Sequence, residues 1–287
     1  MRKWHKYFLN PSSGKRRYVP IDRSVFEHAE SMGGYGADEA YLSKEGFFKK
    51  YFFNYQLSRL ENYHAFLKKH LGKNEEILSV ASGRCANELY LMQEGYRITC
   101  SELEILDVYK ETKQLFPEFN YIKYDVLSGA PPGKYDAIIS LSLIYLFDRE
   151  KLLRFFNNIS NALEKNGRLI LDSAGPPNNI LVYLIHNIIL RGEIELERLI
   201  KSISERKFYG LLVKEHGYYR TAGEIVQAAR EAGLKLTDQE NYGFLNEFAR
   251  SRFLNYALRQ SPVCKRLFNR VGRHIPYIKM FEFKKEA

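Results

Sequence analysis

Between residues 76 and 174, short apolar runs alternate with amphipathic stretches of helical period. "EILSVA" (76–81), "YRITCSEL" (96–103), "NYIKYDV" (120–126), "YDAIISLSLI" (135–144) and "RLILDSA" (168–174) read as strands. Between them, "ANELYLMQEG" (86–95), "EILDVYKETKQLF" (104–116) and "DREKLLRFFNNISNAL" (148–163) place apolar residues three and four apart, the spacing of one helix face. Gly95, Pro117 and the "EKNG" segment end these helices. Strands alternating with helices of this length predict an α/β fold with a mostly parallel, doubly wound sheet.

The flanks follow other patterns. Residues 39–71 carry a helical repeat that stops at Gly72, and 178–203 read as one or two helices covering the carboxyl edge of the sheet. "TAGEIVQAAREAG" (221–233) opens with Thr221 and has Glu224 three residues on, a capping box. "LKLTDQENYGFL" then predicts a strand, a turn and a further strand. The C-terminal "SPVCKRLFNRVGRHIPYIKMFEF" reads either as a helix and final strand on the sheet or as an interfacial helix.

Composition narrows the class. The 287 residues are 45% apolar, enough for a substantial core. Three cysteines, Cys85, Cys100 and Cys264, form no CxxC pair and no metal spacing, so no metal site is expected and a reducing cytoplasm is. "MRKWHKYFLNPSSGKRR" has no apolar signal core, and the most apolar run, 180–190, is shorter than the ~20 residues of a membrane span. The net charge of +10 raises the question of an anionic partner. No RNP-like, RGG or zinc-finger pattern accompanies it, so DNA is not expected and RNA is the less favoured choice.

In an open parallel sheet, ligands bind beyond the carboxyl ends of the strands. The first strand ends in Ala81-Ser82-Gly83-Arg84-Cys85, and the second in Ser101-Glu102, with Glu102 19 positions after Gly83. The third ends in Tyr124-Asp125. A carboxylate at that distance suits two ribose hydroxyls, and a second one at the next strand end suits the amine of adenine. The structural alternatives are a helix-start carboxylate for Glu102 and a turn-forming Asp125. The turn itself can be read as A-x-G-x-x-A, for a dinucleotide, or as h-h-S-h-A-x-G-x-C. A pyrophosphate demands close backbone approach and glycine, whereas S-adenosylmethionine carries no phosphate. Cys85 and Ala86 therefore favour the sulfonium cofactor.

On "ILSVASGRCANELYL", "ITCSELE", "YIKYDVL", "YDAIISLSLIYLFD" and "LEKNGRLILD", residues 75–174 resemble the class I S-adenosylmethionine-dependent methyltransferases, with a weaker tail to 245. Ser79 stands where the family has an acid, Ala81 and Cys85 where it has glycines, and Tyr145 where a histidine is common. The resemblance implies a seven-stranded, Rossmann-like sheet with an N-terminal helical extension or lid (1–72), a cofactor-binding core (73–176), a helical insertion after the fifth strand covering the acceptor pocket (177–220), and a C-terminal part with a basic tail (221–287). Carried over by position, Ala81, Ser82 and Gly83 line the methionine and ribose portion. Glu102 and Leu103 flank the ribose, Asp125 and Val126 the adenine, and Leu141 and Ser142 the methyl donor.

Methyl transfer needs alignment and, for an oxygen nucleophile, a general base. The candidates are His216 in "KEHGYYRT", Tyr145, Tyr35 in "GGYGADEAY", and His28. For His216 a surface-loop histidine is the plain alternative, and Cys85 is read as a small filler. Tyr218, Tyr219 and Arg220 are candidates to line an acceptor pocket. The fourth strand is followed by "LSLI" and not by the N/D-P-P-Y/F tetrapeptide of amino-group methylation on adenine, cytosine or glutamine. The expected function is a biosynthetic methyltransferase acting on a hydroxyl or amine of a small molecule or glycan. Peripheral contact with an acidic membrane surface stays open, and so do RNA methylation, a non-catalytic adenosine-binding module and a nicotinamide enzyme.

Overall fold

The computed structural model describes residues 2–10, 15–19, 54–83, 85–105, 107–173, 180–242, 251–274 and 278–286. Tyr35, His28, and residues 39–53 of the expected lid helix lie outside the described residues, as does the second strand expected after residue 242. The chain divides into two compact units. One comprises Met1–Ala29, Gly175–Thr221 and Tyr242–Ile278, the other Glu30–Ala174, Ala222–Asn241 and Lys279–Ala287.

The second unit holds the α/β sheet. Its strands are β3 (Ile77–Val80), β4 (Ile98–Glu102), β5 (Asn120–Lys123), β6 (Tyr135–Ser140), β7 (Leu163–Asp172), β9 (Leu234–Tyr242) and β10 (Ile278–Lys285). They lie in the order β5-β4-β3-β6-β7-β10-β9. β3 pairs in parallel with both β4 and β6, so the strand order reverses there, and β10 runs antiparallel to β7. This is the doubly wound, mostly parallel sheet expected from the alternating pattern, with the seven strands that the resemblance implied.

The helices are α1 (Asn54–His70), α2 (Ala86–Gln93), α3 (Asp107–Leu115), α4 (Arg149–Ala162) and α7 (Ala222–Glu231). α1 packs against α2, and α4 against α7. Asp148 caps α4 by accepting from the Lys151 amide at 2.9 Å, and the helix buries Leu152, Phe155, Phe156, Ile159 and Ala162. These residues meet Ile138, Leu171, Ile225, Phe281 and Phe283 in one core. β7 starts five residues earlier than the sequence pattern suggested, at Leu163. A kink accommodates "EKNG" within the strand: Asn166 has φ 64°, and the β6–β7 register shifts between Tyr135 and Ala137. Gly167 is required there, because a Cβ would meet the Glu164 and Tyr135 carbonyl oxygens at 2.9 and 3.1 Å.

The other unit is built on a three-stranded sheet in the order β1-β8-β2, from β1 (Arg2–Asn10), β2 (Arg17–Val19) and β8 (Gly210–Tyr219). β1 runs antiparallel to β8, with a bulge between Trp4 and His5. Its helices are α5 (Ile180–Leu184), which continues through a π-helical turn (Ile185–Leu190) into α6 (Arg191–Ser204), then α8 (Arg252–Gln260) and α9 (Pro262–His274). The long β1–β8 ladder joins the first residues of the chain to the segment after β7. The units therefore cut across the linear division at 72 and 177.

Candidate cofactor and active site

The switch in strand order leaves the ends of β5, β4, β3 and β6 side by side, and the expected cofactor residues sit there. Ladder-type bonds hold them in line: the Ser82 amide donates to the Ser101 carbonyl at 3.0 Å, and the Tyr124 amide to the Glu102 carbonyl at 2.8 Å. Asp125 thus follows directly behind Glu102 on the neighbouring strand.

The turn after β3 keeps a glycine-type backbone where glycine is absent. Ala81 has φ 53°, Gly83 57° and Cys85 59°, all in the left-handed region. Ser142, just past the end of β6, has φ 60°. A non-glycine residue there costs roughly 1–2 kcal/mol, and such strain clusters at functional sites. The Ser82 hydroxyl donates to the Ser79 carbonyl at 2.8 Å, and the Cys85 amide to the Ser82 carbonyl at 2.9 Å, which together fix the turn. Cys85 is fully buried as the residue capping α2, and burial raises its thiol pKa, so it acts as a filler and not as a nucleophile. Ala81→Gly is expected to leave stability unchanged or raise it by up to about 1 kcal/mol in urea unfolding, since relieved strain offsets glycine's chain entropy. Ala81→Val is expected to lower it by more than about 1 kcal/mol, because a β-branched residue tolerates this backbone least.

Glu102 is tied to the backbone of the turn and of its own strand end through both of its oxygens. Its Oε1 accepts from the Gly83 amide at 2.8 Å and its Oε2 from the Leu103 amide at 3.0 Å. Burial raises its pKa, and these two amides pull the other way. A carboxylate offers about four lone-pair sites, so each oxygen retains acceptor capacity. Asp125 Oδ1 accepts from the Leu127 amide at 3.0 Å, so the turn-forming role is real, and Asp125 keeps acceptor capacity as well. Val126 is buried and its carbonyl accepts from Asn158 at 2.8 Å.

Opposite the turn, Leu141 is buried and Ser142 half-buried. The Ser142 amide donates to Asp172 Oδ1 at 2.7 Å, and Tyr63 from α1 donates to Asp172 Oδ2. Asp172, fully buried at the end of β7, therefore holds the strained β6 end in place. Tyr145 follows on a 3-10 turn, Ile144–Leu146, and is half-buried.

Two features of the site went unread in the sequence. Glu88, in the first turn of α2, is buried and accepts from the Ser79 hydroxyl at 2.7 Å through Oε1. Its Oε2 has no partner in another residue among the described residues, and burial pushes its pKa up to about 7. The signal was present in Ser79, a polar residue within an apolar strand that needs a buried partner. The second is Tyr109 on α3, whose hydroxyl donates to the Gly83 carbonyl at 2.6 Å and supports the turn from below.

The remaining candidates lie elsewhere. His216 is half-buried in β8, not in a loop, and belongs to the other unit. Trp4 meets its ring edge-on at 4.5 Å between centroids, and His186 lies 5.1 Å from Trp4. Tyr218, Tyr219 and Arg220 follow it in the same unit, with Tyr219 and Arg220 buried. Among the described residues no His, Cys, Asp and Glu cluster could hold a metal ion.

No protein-family model matches the chain, and no curated protein sequence does. Solved structures do. The magnesium protoporphyrin IX methyltransferase of Synechocystis PCC 6803, with bound SAH, superposes at a TM-score of 0.53, 11% identity, 92% of this chain and 95% of that one. The pyocyanin biosynthetic protein PhzM superposes at 0.51, with 14% identity, 92% of this chain and 68% of its own. The glycopeptide N-methyltransferase MtfA reaches 0.50, with 10% identity over 79% and 90%. The chain has the class I methyltransferase fold. At this level of identity the likeness concerns the fold, and function rests on the site.

Proposed function

We propose that this protein is an S-adenosylmethionine-dependent methyltransferase that methylates a hydroxyl or amine of a small molecule or glycan. The observation that carries the reading is the row of three adjacent strand ends: a left-handed turn, a carboxylate bonded to that turn, and a second carboxylate on the next strand. The donor set fits an adenosine. Glu102 accepts from the two ribose hydroxyls and Asp125 from the adenine amine, with Leu103 and Val126 beside them. Ala81, Ser82 and Gly83 present backbone to the methionine portion, and Leu141 and Ser142 face the methyl end.

When bound, S-adenosylmethionine supplies an electrophilic methyl group with a neutral thioether as leaving group. The protein's part is alignment and exclusion of water, which can account for most of the acceleration. The rigid Ser142–Asp172–Tyr63 network serves that alignment. Tyr145 is the candidate acid–base group within the unit that holds the strand ends. His216 lies in the other unit, and Tyr35 lies outside the described residues.

The structural relatives named for small-molecule and glycopeptide substrates support an acceptor of that size. Titration calorimetry with S-adenosylhomocysteine is the test. Saturable, one-to-one binding is the expected result. An absence of binding at millimolar ligand, or tight binding of NADH in its place, overturns the reading.

A further inference from the structure

Helices α8 and α9 combine an exposed apolar face with a charge of one sign. On α9, Val263, Leu267 and Val271 stand four residues apart on one face and are all exposed, Leu267 by 57%. On α8, Phe253 and Tyr256 are exposed by 72% and 67%. Residues 252–274 contain Arg252, Arg259, Lys265, Arg266, Arg270 and Arg273, and no Asp or Glu. Arg252, Arg266 and Arg270 are exposed, interleaved with the apolar residues. Arg266 and Arg270 have no ion-pair partner among the described residues. A single-sign, amphipathic surface of this kind is built neither for water alone nor for a protein core.

The helices are held firmly enough to present it. Ser251 caps α8 by accepting from the Leu254 amide at 3.0 Å. Glu193, in the first turn of α6, accepts from Ser251 and from the Arg252 and Phe253 amides, and Glu197 pairs with Arg252 at 3.4 Å. The acids of α6 are thereby engaged: Glu193 by the α8 terminus, Glu195 by Arg198, and Glu197 by Lys201 and Arg252. They do not neutralise Arg266 and Arg270.

We propose that the α8–α9 pair is a peripheral docking surface for an anionic lipid bilayer, with Val263, Leu267 and Phe253 entering the headgroup–acyl boundary and Arg266 and Arg270 meeting the lipid phosphates. The alternatives fit less well. Self-association through this face would set the arginines of one copy against those of another, with no acid in the segment to pair them. Single-stranded RNA is held by aromatic stacking platforms, whereas the row on α9 is aliphatic. The proposal is independent of the methyltransferase reading, since no residue of the strand-end site takes part.

The experiment is vesicle co-sedimentation of the full chain. The probes are phosphatidylcholine vesicles with and without about one-third phosphatidylglycerol, a headgroup fraction chosen to give a strongly negative surface. Binding is expected to the anionic vesicles, weakened by high salt. Val263→Asp with Leu267→Asp, and separately Arg266→Glu with Arg270→Glu, are each expected to weaken it about tenfold or more. Circular dichroism and S-adenosylhomocysteine affinity should be unchanged in both, as the substituted side chains are exposed. No binding to anionic vesicles overturns the proposal, as does binding that neither double variant alters. It is also overturned if Leu267→Asp dissolves a concentration-dependent dimer without affecting vesicle binding, or if a short RNA binds this face and survives Leu267→Asp.

Discussion

Glu102→Ala is expected to weaken S-adenosylhomocysteine binding about 100-fold or more in titration calorimetry, with the fold intact by circular dichroism. Two effects add. The ribose loses its acceptor, and the Gly83 and Leu103 amides lose theirs, at 2.8 and 3.0 Å. A buried donor left without a partner costs about 1–3 kcal/mol, so two such losses together move affinity by about two decades. Glu102→Gln is expected to fall between the two, because its NH2 group faces a backbone N–H that needs an acceptor. Burial raises the Glu102 pKa, so its acceptor function is lost as pH falls through that raised value. Affinity should therefore decline on acidification in the wild type, and the Gln variant should not follow it. Unchanged affinity in Glu102→Ala would falsify the ribose assignment.

Glu88→Gln is expected to raise stability at pH 8 by up to about 3 kcal/mol, and by less than about 1 kcal/mol at pH 5. The Glu88 pKa rises from 4.5 to about 7, chiefly through burial. In that window the folded protein binds more protons than the unfolded chain. Stability therefore falls as pH rises from about 4.5 to about 7, and the deficit is complete above that, at roughly 1.4 kcal/mol per pKa unit. The glutamine keeps an acceptor for the Ser79 hydroxyl and cannot ionise. Buried His64 has its pKa lowered and acts with the opposite sign below pH 6.5, so the readout is the difference between wild type and variant. Urea unfolding of both proteins at pH 5, 6, 7 and 8 gives it directly. Parallel curves across that range would show that Glu88 does not titrate in the folded protein.

Why Glu88 escaped notice bears on what a sequence reveals. Its partner Ser79 is nine residues away, and the two meet because helix α2 folds back under the turn. Neither residue alone has a pattern. Glu102 and Asp125 were legible because a parallel sheet places the carboxyl ends of consecutive strands together, so order along the chain becomes adjacency in space. Asp172 was not legible as a support for Ser142, since that bond needs the exact parallel register of β6 and β7. The β1–β8 ladder was missed for a different reason. "RKWHKYFLN" and "GLLVKEHGYY" lie about 200 residues apart, and only their pairing makes one ladder of them. His216, judged from its place after the fifth strand, thus proves to be a strand residue packed on Trp4.

Alternating periodicity, the small-residue turn and two acids at consecutive strand ends determined, from the sequence alone, the parallel sheet and the adjacency of Glu102 and Asp125 at its carboxyl edge. Those features are local, and the handedness and order rules of α/β folds convert them into three dimensions. Only tertiary structure decided that the turn keeps its left-handed backbone at Ala81 and Cys85 without glycine. Neighbours fix that conformation: Tyr109 and Glu102 bond to Gly83 from two other elements and hold the turn against its strain. It also decided that a buried Glu88 lies beneath the turn and that the first strand joins the eighth. Contacts between residues far apart in sequence leave no period for a reader of the sequence to find.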